Sequence, residues 1–73
     1  LDDVFRQALE DLPENQKTAL LLLSQQELSY EEIASSMSAS VSAVKTWIYR
    51  ARQHMKDCLK EANTEHINPT RNQ

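Results

Sequence analysis

Between Ser29 and Arg52 two amphipathic helical patterns meet across an interruption too short for anything except a sharp corner. The first places Tyr30, Ile33, Ala34 and Met37 at i, i+3, i+4 and i+7. The second places Val41, Val44, Ile48, Ala51 and Met55 at steps of three and four. Each helix therefore has one dry stripe, and Ser38-Ala39-Ser40 forms the turn between them. Packing the two stripes together leaves the outer side of the second helix in solvent, free to lie in a DNA major groove. This is the sequence form of a helix-turn-helix.

The rest of the chain supplies the frame for that corner. Val4, Phe5, Ala8, Leu9 and Leu12 define the inner side of a helix from about Asp2 to Asp11, and Leu12-Pro13 ends it. Pro13 suits the first position of the next helix, where its missing N–H has no partner to lose, and Glu14 suits the positive helix end. That helix runs to about Gln25. Its segment Ala19 to Leu23 is apolar nearly all round, as a central helix with several neighbours requires. Ser29 followed by Glu32 fits a capping box opening helix three, and Ser40 is the N-cap of helix four, which extends to about Ala62. The expected fold is all-α, a compact four-helix domain over residues 1–62, followed by a polar, frayed tail over 63–73 that contains Pro69.

Seventy-three residues make one domain at most, too small to combine a sound core with an enclosed catalytic cavity. Binding is expected rather than catalysis, with neither a cofactor nor a small-molecule substrate. The chain has no initiator methionine and begins inside a helical pattern, as expected of a piece of a longer protein. No apolar run approaches membrane-spanning length and no signal-peptide core is visible, so the expected place is the cytoplasm, away from membranes. The single cysteine, Cys58, agrees with a reducing compartment.

The charge balance runs against nucleic-acid binding until its distribution is considered. Eight Lys and Arg against eleven Asp and Glu give a net charge of −3. Phosphate attraction, however, acts within roughly 8 Å at physiological salt. From Ser40 to Lys60 the chain has Lys45, Arg50, Arg52, Lys56 and Lys60 against Asp57 alone. Asp2, Asp3, Glu10, Asp11, Glu14, Glu27, Glu31 and Glu32 make the first half acidic. Such a dipolar domain can press one pole on DNA and offer the other to a protein.

With these parts in order, the segment from Leu12 to Arg52 resembles region 4 of bacterial sigma factors, especially the extracytoplasmic-function group. The resemblance covers about residues 8–60. It rests on Leu12-Pro13, Leu28-Ser29-Tyr30, Glu32-Ile33-Ala34, Val44-Lys45 and the closing Arg50-Ala51-Arg52. It implies a four-helix domain whose helix-turn-helix reads the −35 element of a promoter. It further implies contact between another surface and the flap of the RNA polymerase beta subunit, with an anti-sigma factor as competitor. Two departures stand out. The family commonly has glycine before helix three and in the corner, where this chain has Glu27 and Ser38. A strained corner at Ser38 or a neighbour, or a different path, follows from that. Ala43 also stands where the family usually has threonine, removing one hydrogen bond to DNA.

Around helix four, at about 100° per residue, the apolar stripe opposes Ser42, Thr46, Tyr49 and Gln53, with Lys45 and Arg50 on the flanks. Recognition helices contact base edges near their N-terminus, which selects Ser42, Ala43, Lys45, Thr46 and Tyr49 as base readers. Arg50, Arg52 and Gln53 fall to the DNA backbone, Arg52 alternatively to an ion pair with an acid such as Glu32. The resemblance adds Lys17, beside Gln16, as a backbone contact. Ser29 and Tyr30 open helix three, where N–H groups and side chains meet a phosphate; Tyr30 equally suits a core position.

Plainer readings apply to the remaining conspicuous residues. Trp47 sits at the border of the stripe and reads as a half-covered packing residue. His54 and Cys58 are four apart, but two ligands do not make a zinc site and no third group orients them as a catalytic pair. For the whole domain, two alternatives to promoter recognition remain at this point. One is a LuxR-type helix-turn-helix regulator; the other is an interaction module bound by an anti-sigma factor.

Overall fold

A computed structural model describes the chain from residue 2 to residue 66, with side chains from residue 3 to residue 61. Four helices follow one another: α1 (Asp2–Asp11), α2 (Glu14–Gln25), α3 (Tyr30–Met37) and α4 (Val41–His66). The expected all-α, four-helix architecture with a helix-turn-helix is what the described residues form. α4 packs against each of the other three helices, and α2 packs against α3.

Two apolar clusters hold these helices. Ala19, Ile33, Ala34, Val44 and Ile48 form the centre of the first, around the corner, with Leu22, Leu23, Leu28, Tyr30, Met37 and Trp47 packed about them. Ala8, Leu12, Ala51 and Met55 form the second, with Leu9, Leu20 and Cys58. Burying an Ile or Val side chain of this kind stabilises by about 1.5–3 kcal/mol. The run from Ala19 to Leu23 therefore faces both ways: Leu20 joins the α1 cluster, whereas Ala19, Leu22 and Leu23 join the corner cluster. Leu21 joins neither.

Several expectations need correction. Phe5, expected on the inner side of α1, is 49% exposed. α1 and α4 run antiparallel, since Asp11 lies by His54 while Asp3 and Val4 lie by Glu61. Ala8 and Leu12 reach the cluster, whereas Phe5 lies off the side of α1 that meets α4. Pro13 stands one position before α2, at φ −56° and ψ 153°, and its carbonyl accepts from Lys17 N–H at 2.9 Å. α4 continues to His66, beyond the expected Ala62. The remainder of the expected tail, residues 67–73, lies outside the described residues.

Candidate nucleic-acid interface

Local hydrogen bonds fix the corner. Ser29 Oγ accepts from Glu32 N–H at 3.1 Å, and Glu32 Oε1 accepts from Ser29 N–H at 2.8 Å, completing the expected capping box. At the other end of α3, Ser38 N–H donates to Ser35 O at 3.3 Å and Ala39 N–H to Ala34 O at 2.9 Å. This pair of bonds is a Schellman motif, which requires a left-handed residue. Ser38 supplies it at φ 53° and ψ 48°. Glu27, before α3, also has a positive φ, 56°. Both positions where the family commonly has glycine thus keep the path that glycine would take, without glycine. Ser40 Oγ then accepts from Ala43 N–H at 3.0 Å, capping α4.

This framework presents the outer side of α4. Ser42, Lys45, Thr46, Tyr49, Arg50, Arg52 and Gln53 are exposed, and Tyr49 is 66% exposed. Ala43 is half-buried. Val44 and Ile48, on the opposite side of the same turns, are fully buried. Among the described residues Lys45, Arg50, Arg52 and Lys56 make no ion pair, so their charge faces solvent. Arg52 does not pair with Glu32, whose carboxylate serves the cap instead. Lys56 is outside the expected set; its step of four from Arg52 places it one turn further along the same side.

The expected backbone contacts are more scattered. Lys17 is half-buried near the start of α2. Tyr30 is half-buried with its ring in the corner cluster. Ser29 has committed its N–H to Glu32, which leaves its hydroxyl proton for an outside acceptor. Trp47 packs as anticipated. Cys58 Sγ lies 3.5 Å from His54 Nε2, and the same nitrogen lies 4.0 Å from Asp11 Oδ2. One nitrogen facing both groups cannot relay a proton between them. Among the described residues no group of three such side chains is placed to hold a metal ion.

The arrangement is a helix-turn-helix with a basic, polar outer face, and the comparison with known families decides which one. Residues 2–55 match the family described as Sigma-70, region 4. The chain belongs to that family. Similar proteins include the RNA polymerase sigma factor YlaC of Bacillus subtilis, 38% identical over 63 residues, 86% of this chain and 36% of that protein. The RNA polymerase sigma-H factor of Pseudomonas aeruginosa is 37% identical over 60 residues, 82% of this chain and 31% of that protein. The ECF RNA polymerase sigma-E factor of Salmonella typhimurium is 46% identical over 50 residues, 68% of this chain and 26% of that protein. The chain spans about a third of the length of the first two relatives. Of the two helix-turn-helix families left open by the residues, the match favours sigma region 4 over LuxR. No helix among the described residues is long and apolar enough to cross a membrane.

Proposed function

We propose that this region 4 domain reads the −35 element of a promoter through α4, as part of RNA polymerase holoenzyme in the cytoplasm, and so directs transcription initiation without catalysis of its own. The exposure of Ser42, Lys45, Thr46 and Tyr49 on the first turns of a capped α4 carries the reading. Ser42, Lys45, Thr46 and Tyr49 read bases, with Ala43 giving a methyl contact. Arg50, Arg52, Gln53, Lys17, the Ser29 hydroxyl and the Tyr30 hydroxyl bind phosphates. The chain's net charge of −3 makes its own DNA affinity low, so the polymerase core, held through the beta flap, supplies the remainder. An anti-sigma factor competes for the domain.

The test is to sequence the DNA selected by the full-length protein bound to core polymerase, wild type against Lys45→Ala and Tyr49→Ala. Enrichment of one shared upstream element, lost or altered in the variants, is the expected result. Identical selections from all three proteins would overturn the assignment of this face.

A further inference from the structure

α1 is fastened to the domain far less firmly than the corner is fastened to itself. The three largest fully buried side chains, Ile33, Val44 and Ile48, all belong to the corner cluster, and no residue of α1 enters it. α1 gives the second cluster two buried residues, Ala8 and Leu12, which meet Ala51 and Met55 of α4 with Leu20 of α2 alongside. A joint with two alanines in it removes little apolar surface from water. Nearer the start of α1, Val4 and Ala8 leave a groove of about 410 Å³ against Cys58 and Glu61 instead of closing on them. Polar contacts add little: Asp11 Oδ2 meets His54 Nε2 at 4.0 Å with both side chains more than a third exposed, whereas the bonds from Arg6 to Asp3 and from Gln7 to Asp11 stay within α1. Asp3 and Asp11 share the groove lining with Glu61 of α4, so like charges face one another across the joint. The connection to α2 is equally permissive. Leu12 N–H donates back to Leu9 O, and Pro13 O accepts from Lys17 N–H, so each of these bonds belongs to one helix or the other. Pro13, extended at ψ 153° and without an N–H, ties neither helix to its neighbour.

We propose that α1 is a releasable arm, which leaves α4 as a unit of its own while the corner of α2, α3 and α4 stays folded. A ten-residue helix is too short to persist alone in water, so release and unwinding of α1 are one event. Sparse burial and facing carboxylates set its cost below that of unfolding the corner. Release uncovers Leu20, Ala51 and Met55 and frees the direction of α1 from that of α4. The outer side of α4 from Ser42 to Tyr49 keeps its shape in both states, because Val44 and Ile48 hold it from the corner cluster. The domain therefore has two folded forms that share one exposed recognition face. Release of the arm stands independently of promoter reading.

Amide hydrogen exchange of the full chain, followed by NMR in urea below the unfolding transition, tests this. The Ala8 and Leu12 amides are expected to exchange at least about tenfold faster than those of Val44 and Ile48, and to depend less steeply on urea, since release exposes less surface than unfolding. Ile33→Val, which trims the corner cluster, is expected to speed Val44 and Ile48 by about twofold to tenfold and to leave Ala8 and Leu12 unchanged. Glu61→Gln, which removes a like charge from the joint, is expected to slow Ala8 and Leu12 by about twofold, against no change in those two amides for Glu31→Gln on α3. One rate and one urea slope for all four amides would overturn the proposal, as would equal acceleration of all four by Ile33→Val. Faster or unchanged exchange of Ala8 and Leu12 in Glu61→Gln would overturn the part given to the carboxylates. Should a variant fail to fold, the wild-type rates and slopes alone decide.

Discussion

The amide of Ala39 reaches back to the carbonyl of Ala34 at 2.9 Å, and the bond closes only because Ser38 between them adopts a left-handed backbone. A side chain at such a position opposes the conformation by about 1–2 kcal/mol, which glycine avoids at the expense of about 0.5–1 kcal/mol of extra freedom in the unfolded chain. Ser38→Gly is therefore expected to stabilise the domain by about 0.5–1 kcal/mol, read from urea unfolding. Glu27→Gly should act in the same direction. A loss of stability in both would mean that the side chains contribute something the backbone argument omits.

Removal of a cap has the opposite sign. Ser29→Ala deletes the acceptor for Glu32 N–H and is expected to destabilise by about 1 kcal/mol. Ser40→Ala, which frees Ala43 N–H at the start of α4, should cost a similar amount. Equilibrium unfolding of each, with circular dichroism as the probe, measures both.

Core truncation should be larger than either. Ile48 is fully buried between α2, α3 and α4, and Ile48→Ala is expected to cost about 2–5 kcal/mol through lost burial and a residual cavity. Tyr49, its neighbour in sequence, is mostly exposed, and Tyr49→Ala should shift unfolding by less than about 0.5 kcal/mol. Comparable losses at the two positions would contradict the orientation of α4.

DNA binding should separate charge from base reading. Lys45→Gln removes a counterion-releasing contact and is expected to lower the slope of log affinity against log salt by about 1 if the lysine meets a phosphate. If Lys45 reads a base edge, the loss is about 1–3 kcal/mol on the cognate element and small on an unrelated duplex. Fluorescence anisotropy at two salt concentrations distinguishes these outcomes, and unchanged affinity on both duplexes removes Lys45 from the interface.

The thiol gives a pH test. The Cys58 pKa lies above its ordinary value of 9.0, because burial and then Asp11, Glu61 and Asp57 disfavour the thiolate. With the folded value above the unfolded one, the thiol's contribution to stability is complete below the unfolded pKa and is lost as pH rises through the folded pKa. Alkylation by iodoacetamide should therefore need a higher pH in the folded chain than in the unfolded one. Cys58→Ala should flatten the alkaline decline of stability, and Asp11→Asn should bring the thiol back towards its ordinary range.

Much of this was legible in the residues because periodicity and capping are local. The steps of three and four in α3 and α4 identified the buried stripe from Ile33 to Met55, and Ser29 with Glu32 identified the cap. The same stripe, opposed by Ser42, Thr46, Tyr49 and Gln53, identified which side of α4 faces outward. What escaped is non-local. Phe5 has the right spacing for burial but turns away from α4, whose side of α1 is occupied by Val4 and Ala8. Arg52 had an acid available in Glu32, yet the cap competes for that carboxylate. The packing of α1 on α4 joins residues more than forty positions apart, such as Ala8 and Met55, a juxtaposition that no helical wheel contains.

α4 contributes to both apolar clusters along one unbroken axis, with Val44 and Ile48 in the first and Ala51 and Met55 in the second. The angle between whatever reads the corner and whatever grips α1 is consequently set by counting residues. One amino acid inserted between Ile48 and Ala51 would swing α1 by about 100° around the rod and advance it about 1.5 Å. The domain is a spanner whose two jaws are forged from a single bar, and the three-residue spacing of Ile48 and Ala51 sets the angle between them.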